Sequence, residues 1–252
     1  MSYMFANCTK LSSINLYNNF FDVSNVEDMK KMFYNCNDLK SIKLDVLSKS
    51  KVKNMDSMFD GCASLTSLNL SGFDSPYLNK MSKMFYGCIL LEYLNIDNLI
   101  TTQVTDMDSL FYECSSLTSL NLYDFDTSLV TNMNEMFYKC NFLSYLNISR
   151  FNTSLTKNMS NMFYDCNELE VLDLGSFDTS NVEDMQFMFY NCKSLISLPD
   201  ISSWNLKRID DISAYTPDML AQTVENVKPD AVVILNCPSF NLGKDASFNF
   251  GY

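Results

Sequence analysis

The 252-residue sequence contains no histidine, and this absence removes several kinds of chemistry. A Ser-His-Asp triad, a Cys-His dyad, a histidine-ligated zinc site and an imidazole acid or base all need that side chain. Glycine and proline are scarce, at 6 and 5 residues, so the chain is neither low-complexity nor rich in linkers. An apolar run of ~18 residues, which a membrane-spanning helix needs, is absent, and no signal peptide is visible.

Basic side chains are the minority, since 18 Lys and Arg residues stand against 30 Asp and Glu residues. Binding to a phosphate backbone needs clustered Lys and Arg, so the net charge of −12 argues against a nucleic-acid partner. Apolar residues make up 47% of the chain, which is enough for a sizeable core. The 16 Met and 19 Phe residues are unusually many and need a cause.

The cysteines supply that cause, because eight of the nine mark an internal repeat. The spacing is 26 residues six times in succession, between Cys36 and Cys192. Each repeat also has a Met seven residues before its cysteine, a Phe three before it and a Leu three after it. Equal spacing on this scale indicates a repeat architecture. The repeat cysteines are Cys8, Cys36, Cys62, Cys88, Cys114, Cys140, Cys166 and Cys192.

One repeat reads as a short helix, a strand and a turn. In segment 107–114 the apolar residues fall at i, i+3, i+4 and i+7, which predicts two helical turns, with a 3₁₀ turn as the alternative. Asp106 precedes this segment and is an N-cap residue type. Segment 119–123 alternates Leu with polar residues, which predicts a strand. The Phe-Asp-Thr-Ser sequence at 125–128 predicts a turn.

A 26-residue unit cannot bury this many apolar side chains alone, but stacked units can. We therefore predict an α/β repeat fold: a leucine-rich-repeat type solenoid of about eight coils, with one parallel β-sheet and a short helix per coil. Residues 1–212 are predicted to form the solenoid, with a degenerate last coil, and residues 213–252 a C-terminal cap and tail. Met1 already occupies the Met position, so we expect the chain to begin inside a coil as a fragment of a longer protein.

The repeat resembles that of a known family. Between Cys166 and Tyr190 the chain reads Cys-x-x-Leu-x-x-Leu-x-Leu-x-x-Phe-Asp-Thr-Ser-x-Val-x-x-Met-x-x-Met-Phe-Tyr. This string resembles the BspA-like leucine-rich-repeat surface proteins, in the 26-residue variety of mycoplasma surface lipoproteins, and the resemblance covers about residues 1–198. It implies a cell-surface or secreted, non-enzymatic adhesion protein whose partner is a host matrix protein or a neighbouring-cell surface protein. No binding residue can be carried over.

Three columns of repeated residues have both a structural and a functional interpretation. The cysteines form a buried thiol ladder, or else disulfides or a metal site. The methionines pack in the core, or else offer a soft binding surface. The turn acids form local hydrogen bonds, or else a calcium ladder. The structural interpretation is favoured in each case, so no cofactor and no metal site is expected. The turn acids and their amide counterpart are Asp22, Asp74, Asp126, Asn152 and Asp178.

The outward face of the strands is the strongest functional candidate. Asn recurs in its middle column although Asn is a poor strand residue. One interpretation is an amide ladder between coils. The other, which is compatible with it, is a recognition face in which Tyr and Asn supply contact area and hydrogen bonds. The candidate binding residues are Tyr17, Tyr93, Asn95, Asn121, Tyr123, Tyr145 and Asn147.

These observations predict a non-enzymatic, adhesin-like module that binds a protein with its exposed sheet face. The alternative is a structural stalk or spacer without a ligand of its own. An enzyme is not expected: carboxylate pairs such as Asp210 and Asp211 exist, but the sequence implies no pocket and no motif recurs with catalytic spacing. A second tyrosine column, which follows the Phe column, is predicted to cover the apolar edge with its hydroxyl groups in solvent.

Overall fold

A computed structural model describes residues 1–16, 23–44, 51–71, 73, 76–97 and 99–195. The predicted cap and tail, residues 213–252, lie outside this part of the chain, as does the degenerate last coil after residue 195. Within it each of the first six coils contributes one three-residue strand. The strands are β1 (Ser13–Asn15), β2 (Ser41–Lys43), β3 (Ser67–Asn69), β4 (Tyr93–Asn95), β5 (Ser119–Asn121) and β6 (Tyr145–Asn147).

The strands pair in parallel and in register with their counterparts in the next coil. Leu68 of β3 lies opposite Leu94 of β4, and Leu120 of β5 opposite Leu146 of β6. Equivalent positions therefore form columns along the stack, as the repeat predicts. The described strands form three two-stranded sheets, β1–β2, β3–β4 and β5–β6, where one continuous sheet was predicted.

The predicted short helix in each coil is wrong, because the described residues contain no helix. In segment 107–114, the Leu110 N–H donates to the Met107 carbonyl oxygen at 3.3 Å, three residues back. The next N–H, that of Phe111, donates at 2.9 Å to the carbonyl oxygen of Met136 in the following coil. An α-helix would direct every N–H to a carbonyl four residues earlier. Each segment is instead a series of turns that bonds alternately to itself and to the next coil.

This alternation requires left-handed backbone conformations at two positions per coil, five residues and one residue before the cysteine. Most of these residues are not glycine, which costs about 1 kcal/mol each. The inter-coil hydrogen bonds of the turn segments offset this cost. The residues with positive φ are Tyr3, Asn7, Lys31, Asn35, Ser57, Gly61, Lys83, Gly87, Ser109, Glu113, Glu135, Lys139, Asn161, Asp165, Phe187 and Asn191.

Alanine substitution at the left-handed glycines gives a testable difference. Gly87→Ala is expected to lower the free energy of unfolding by about 1 kcal/mol, because φ is +66° but the nearest atom to the added Cβ lies 3.8 Å away. Gly61→Ala should cost more, because its Cβ would meet Asn35 Oδ1 at 2.5 Å. Gly175 has no positive φ but its added Cβ would meet Asp173 Oδ1 at 3.3 Å, so Gly175→Ala is the control for the backbone conformation and is expected to cost less than Gly61→Ala. Equal effects in urea unfolding would contradict the turn geometry.

The residues predicted to be N-caps also form turns. The Asp106 carboxylate accepts a hydrogen bond from the Asp108 N–H, two residues later, at 3.0 Å. Asn132 accepts from the N–H of Asn134 in the same way at 3.1 Å. These side chains satisfy backbone donors as a cap would, but the turn that follows does not continue as a helix.

The core consists of columns of identical side chains. The phenylalanine rings stack from coil to coil with centroids 5.3–6.0 Å apart and planes within 8° of parallel. Methionines pack beside them, and Met107 and Met133 are fully buried. The core interpretation of the methionines is thus confirmed. The stacked rings are Phe5, Phe33, Phe59, Phe85, Phe111, Phe137, Phe163 and Phe189.

The cysteine column is a ladder of buried free thiols, as predicted, from Cys36 to Cys192. The thiol of Cys114, for example, donates to the Phe85 carbonyl oxygen of the preceding coil at 3.2 Å. Burial raises the pKa of Cys140 and that of Cys192 to about 12. The thiols are therefore protonated donors at neutral pH, not thiolates available for redox or metal chemistry.

The turn acids likewise have the structural role. Asp126 Oδ1 accepts from the Ser128 N–H at 2.9 Å, and hydrogen bonds from the Ser128 hydroxyl and N–H lower the pKa of that carboxyl. Asn152 and Asp178 accept from the N–H two residues later in the same way. Asp22 and Asp74 lie outside the described residues.

Candidate functional site

All six described strands expose their first residue, and β2, β3 and β5 also expose the third and bury the middle one. In β4 and β6 the third residue, Asn95 or Asn147, is half-buried. Tyr93 begins β4 and Tyr145 begins β6, and each ring is 56% exposed. The strand between them begins with Ser119, a much smaller residue. Because Ser67 lies opposite Tyr93 and Ser119 opposite Tyr145 in the paired strands, neither ring stacks on a tyrosine in the adjoining strand.

The asparagines at the third strand position end their strands by a local turn. Asn95 Oδ1 accepts from the Asp97 N–H at 3.0 Å, and Asn121 Oδ1 from the Tyr123 N–H at 3.2 Å. Asn147 makes the same bond to Ser149 at 3.3 Å. The predicted amide ladder between coils is therefore wrong for these oxygens. Their NH₂ groups have no protein partner among the described residues, so each fixed amide offers hydrogen-bond donors to a ligand.

Two exposed apolar side chains lie in the turns just before the strands β4 and β6. Leu90 precedes Tyr93 by three residues, and Phe142 precedes Tyr145 by the same interval. Both are exposed, Phe142 by 58%. In the coil between them this position is Ser116, whose hydroxyl donates to the Ile89 carbonyl oxygen at 2.7 Å. We name the pair Leu90 and Tyr93 the first ridge, and the pair Phe142 and Tyr145 the second ridge.

A cation lies over one of the predicted aromatic residues. The guanidinium carbon of Arg150 is 4.9 Å from the ring centroid of Tyr123, in the turns that follow β6 and β5. This cation–π contact holds the arginine beside the strand face. Tyrosine and arginine are both among the side chains enriched in interface hot spots.

The outward strand positions are almost free of charge, although the chain has 48 charged side chains, 30 acidic and 18 basic. Lys43 of β2 is the one ionic residue at the outward positions of the six described strands. Ion pairs such as Lys83–Asp108 and Lys139–Glu113 lie in the turn segments instead. The outward positions of the described strands are therefore polar and aromatic, with Lys43 in β2 and Arg150 beside Tyr123 as cations on an acidic protein.

The face contains a shallow depression over β1 to β3 that encloses about 470 Å³ and ends at Tyr93. Two acids whose pKa is raised by burial, Asp60 and Asp106, do not line it. The residues that line this depression are polar, apolar and aromatic, with Lys43 as their one ionic member.

The second tyrosine column differs from the strand-face tyrosines because its rings cover one another. Their centroids are 4.2–4.7 Å apart and their planes lie within 19° of parallel. A side-chain hydrogen bond also joins the hydroxyl groups of Tyr86 and Tyr112, so these two do not face solvent alone as predicted, and the role as a cover over the apolar edge stays a prediction. The stacked rings are Tyr86, Tyr112, Tyr138, Tyr164 and Tyr190.

Five of the seven predicted binding residues stand at outward strand positions, a sixth, Tyr123, is exposed in the turn after β5, and their binding role stays a prediction. Tyr17 lies outside the described residues. Sequence reasoning missed Leu90, Phe142 and Arg150, because each departs from its column and occurs in one or two coils. The signal that could have found the first two is a large apolar residue at an outward position. The six residues are Tyr93, Asn95, Asn121, Tyr123, Tyr145 and Asn147.

Comparisons with known proteins match a repeat family along most of the chain. The family model described as "Mycoplasma protein of unknown function, DUF285" matches residues 1–120 and again residues 105–227. No curated protein is significantly similar to this chain. Within the described part of the chain, no helix is long and apolar enough to cross a membrane.

Two solved structures are similar to this chain. One is a leucine-rich repeat protein from Bacteroides ovatus ATCC 8483, with a TM-score of 0.42, 20% identity, and coverage of 78% of this chain and 57% of that protein. The other is a leucine rich cell surface protein from Faecalibacterium prausnitzii A2-165, with a TM-score of 0.46, 18% identity, and coverage of 78% and 62%. The chain thus spans less than two thirds of the length of each.

Proposed function

This chain belongs to the DUF285 family, the BspA-like repeat family, and on that premise we propose that it is a non-enzymatic module that binds a protein with its strand face. The proposal includes display at the cell surface or outside the cell, and a host matrix protein or a neighbouring cell's surface protein as the partner. The proposal also keeps residues 1–212 as the solenoid, with a degenerate last coil, and residues 213–252 as its C-terminal cap and tail.

The observation that carries the proposal is the composition of the strand face. It combines exposed Tyr93 and Tyr145 with amides held in place by the turns that end each strand. Tyrosine supplies contact area at low conformational cost, and asparagine supplies hydrogen bonds. A solenoid also presents this face as an extended surface, which is how repeat proteins bind their partners.

The alternative is a stalk or spacer that has no ligand. The packing of the interior is compatible with a stalk, because columns of identical residues would stiffen the solenoid whatever residues its surface carries. A stalk gives no reason for exposed aromatic rings at the strand positions while the rings of the turn column stack on each other.

Truncation of the two strand-face rings tests the proposal. The double variant Tyr93→Ala/Tyr145→Ala is expected to weaken partner binding by about 100-fold, since two hot-spot rings contribute about 1.4 kcal/mol or more each. Its free energy of unfolding should change by less than about 1 kcal/mol, because both rings are exposed. Binding is measured by surface plasmon resonance against purified fibronectin, laminin and collagen.

Tyr77 provides the matched control, since its ring is 53% exposed but lies outside the strands. Tyr77→Ala should bind each matrix protein as the wild type does. The proposal fails in favour of the stalk if none of these proteins binds the wild type, or if the double variant binds as well as the Tyr77→Ala control.

A further inference from the structure

The two ridges border a groove that crosses the strand face over β5. Tyr93 and Tyr145 are two coils apart, a separation of roughly 10 Å at the ~4.8 Å spacing of neighbouring strands. Leu90 and Phe142 continue the ridges in the turns before the strands. Ser116 and Ser119 between the ridges have small side chains, so the groove is lower there than both of its walls, and it ends at Tyr123 in the turn after β5.

The width of the groove limits what can lie in it. An α-helix with its side chains is about 10–12 Å across. It does not fit in the groove, because the strands that carry the two ridges are only ~10 Å apart and the ridge side chains take up part of that distance. A single extended chain fits, since extended chains pack about 5 Å from their neighbours. Its direction would follow the strands, because the ridges run across the solenoid axis.

The chemistry of the groove limits the occupant further. The outward residues of β4, β5 and β6 carry no charge, in a protein whose net charge is −12. A charged segment would lose hydration between the ridges, where no outward strand residue offers an ionic partner and Arg150 stands only at the Tyr123 end of the groove. The amide NH₂ groups of Asn95, Asn121 and Asn147, whose oxygens are held in turns, are donors for carbonyl groups.

We propose that the first and second ridges clamp one extended, uncharged segment of a partner polypeptide across β5, with the asparagine amides bound to its carbonyl oxygens. This inference rests on the proposed function, because it names the part of the protein partner that the strand face binds. The apolar side chains of the segment pack against Leu90, Tyr93, Phe142 and Tyr145, and its backbone takes the hydrogen bonds.

Selection from a random peptide library on the immobilised protein tests this inference. Enriched peptides should be uncharged, with apolar residues at alternating positions, and their affinity should change little with ionic strength. A synthetic enriched peptide should bind Phe142→Ala and Tyr145→Ala at least about tenfold more weakly than the wild type, as fluorescence anisotropy measures. Both side chains are exposed, so circular dichroism should show folded variants.

Leu155 provides the control, since it is an exposed apolar residue outside the strands. Leu155→Ala should leave peptide affinity unchanged. The inference is overturned if charged or helical peptides are enriched, if Leu155→Ala weakens binding as much as Tyr145→Ala, or if a glycan array is bound and no peptide is. A matrix protein that needs Tyr93 and Tyr145 while no peptide is enriched would overturn the clamp and leave the proposed function standing.

Discussion

Raising the pH above about 9 is expected to unfold this protein in one steep transition. Seven buried cysteines, from Cys36 to Cys192, are protonated in the folded chain. Burial raises the pKa of Cys36 to about 11 and that of Cys140 to about 12, whereas an unfolded cysteine titrates near 8.5. The pKa of each thiol is higher in the folded chain than in the unfolded chain. The stability that the protonated thiols contribute is therefore complete below pH ~8.5 and is lost as the pH rises towards the folded pKa values.

The size of this effect follows from the number of thiols. Each lowers the free energy of unfolding by about 1.4 kcal/mol per pH unit once the unfolded thiol ionises. Seven together give roughly 10 kcal/mol per pH unit, comparable to the total stability of a domain. Because the chain lacks histidine, stability should vary little between about pH 6 and 8. Circular dichroism follows the fold, and absorbance at 240 nm follows the thiolates.

A variant with fewer thiols separates this cause from other alkaline effects. Cys114→Ser/Cys140→Ser keeps a hydroxyl that can donate to the Phe carbonyl of the preceding coil, but removes two titrating groups. Its stability should fall with pH by about 3 kcal/mol per unit less steeply than that of the wild type. Thiolates that appear near pH 8.5 while the circular dichroism stays unchanged would show that the thiols are not buried in the fold.

Phe111→Ala is expected to destabilise the solenoid by about 3–5 kcal/mol. The ring is fully buried and stacks on Phe85 at 5.5 Å and on Phe137 at 5.6 Å, so its removal leaves a cavity that touches two neighbouring coils. A repeat protein is stabilised mainly by contacts between nearest-neighbour units. Urea unfolding should therefore show a lower midpoint, and amide exchange should accelerate first in the coils on either side.

Phe142→Ala is the control, because it also removes a phenylalanine ring, but from the surface of the next coil. That ring is 58% exposed, so the change in stability should stay within about 0.5 kcal/mol. Equal losses for the two variants would contradict the stacked phenylalanine column.

The repeat and its core were predictable because burial repeats with the sequence. A Phe, a Met and a Cys at fixed intervals must occupy equivalent places in every coil, and Phe111, Met107 and Cys114 are all fully buried. The same reasoning identified the thiol ladder and the turn at Asp126, since both depend on contacts within one coil or between adjacent coils.

The absence of a helix was not predictable from the same pattern. Apolar residues at i, i+3, i+4 and i+7 face one side in a helix, but consecutive turns that bond to the next coil bring the same residues to one side. A residue in the left-handed conformation distinguishes the series of turns from a helix. The sequence indicates that conformation only where the residue is glycine, at Gly61 and Gly87. Lys139 and Glu113 occupy the same conformation in other coils and give no sign of it in the sequence.

The site was partly predictable for a related reason. Tyr93 and Tyr145 stand at outward strand positions, and alternation along a strand is enough to expose them. Their partners in the ridges, Leu90 and Phe142, lie in turns, where no period indicates which side chain is exposed. The contact of Arg150 with Tyr123 joins two coils and depends on side-chain conformation, which the repeat does not encode.

Tyrosine labelling tests most directly the claim that the strand face binds the partner. Iodination followed by mass spectrometry should modify Tyr77, Tyr93, Tyr123 and Tyr145 in the free protein, because all four rings are exposed. With a bound matrix protein, the account predicts protection of Tyr93, Tyr123 and Tyr145 while Tyr77 reacts as before. Protection of Tyr77 with unchanged labelling of the three strand-face tyrosines would contradict it.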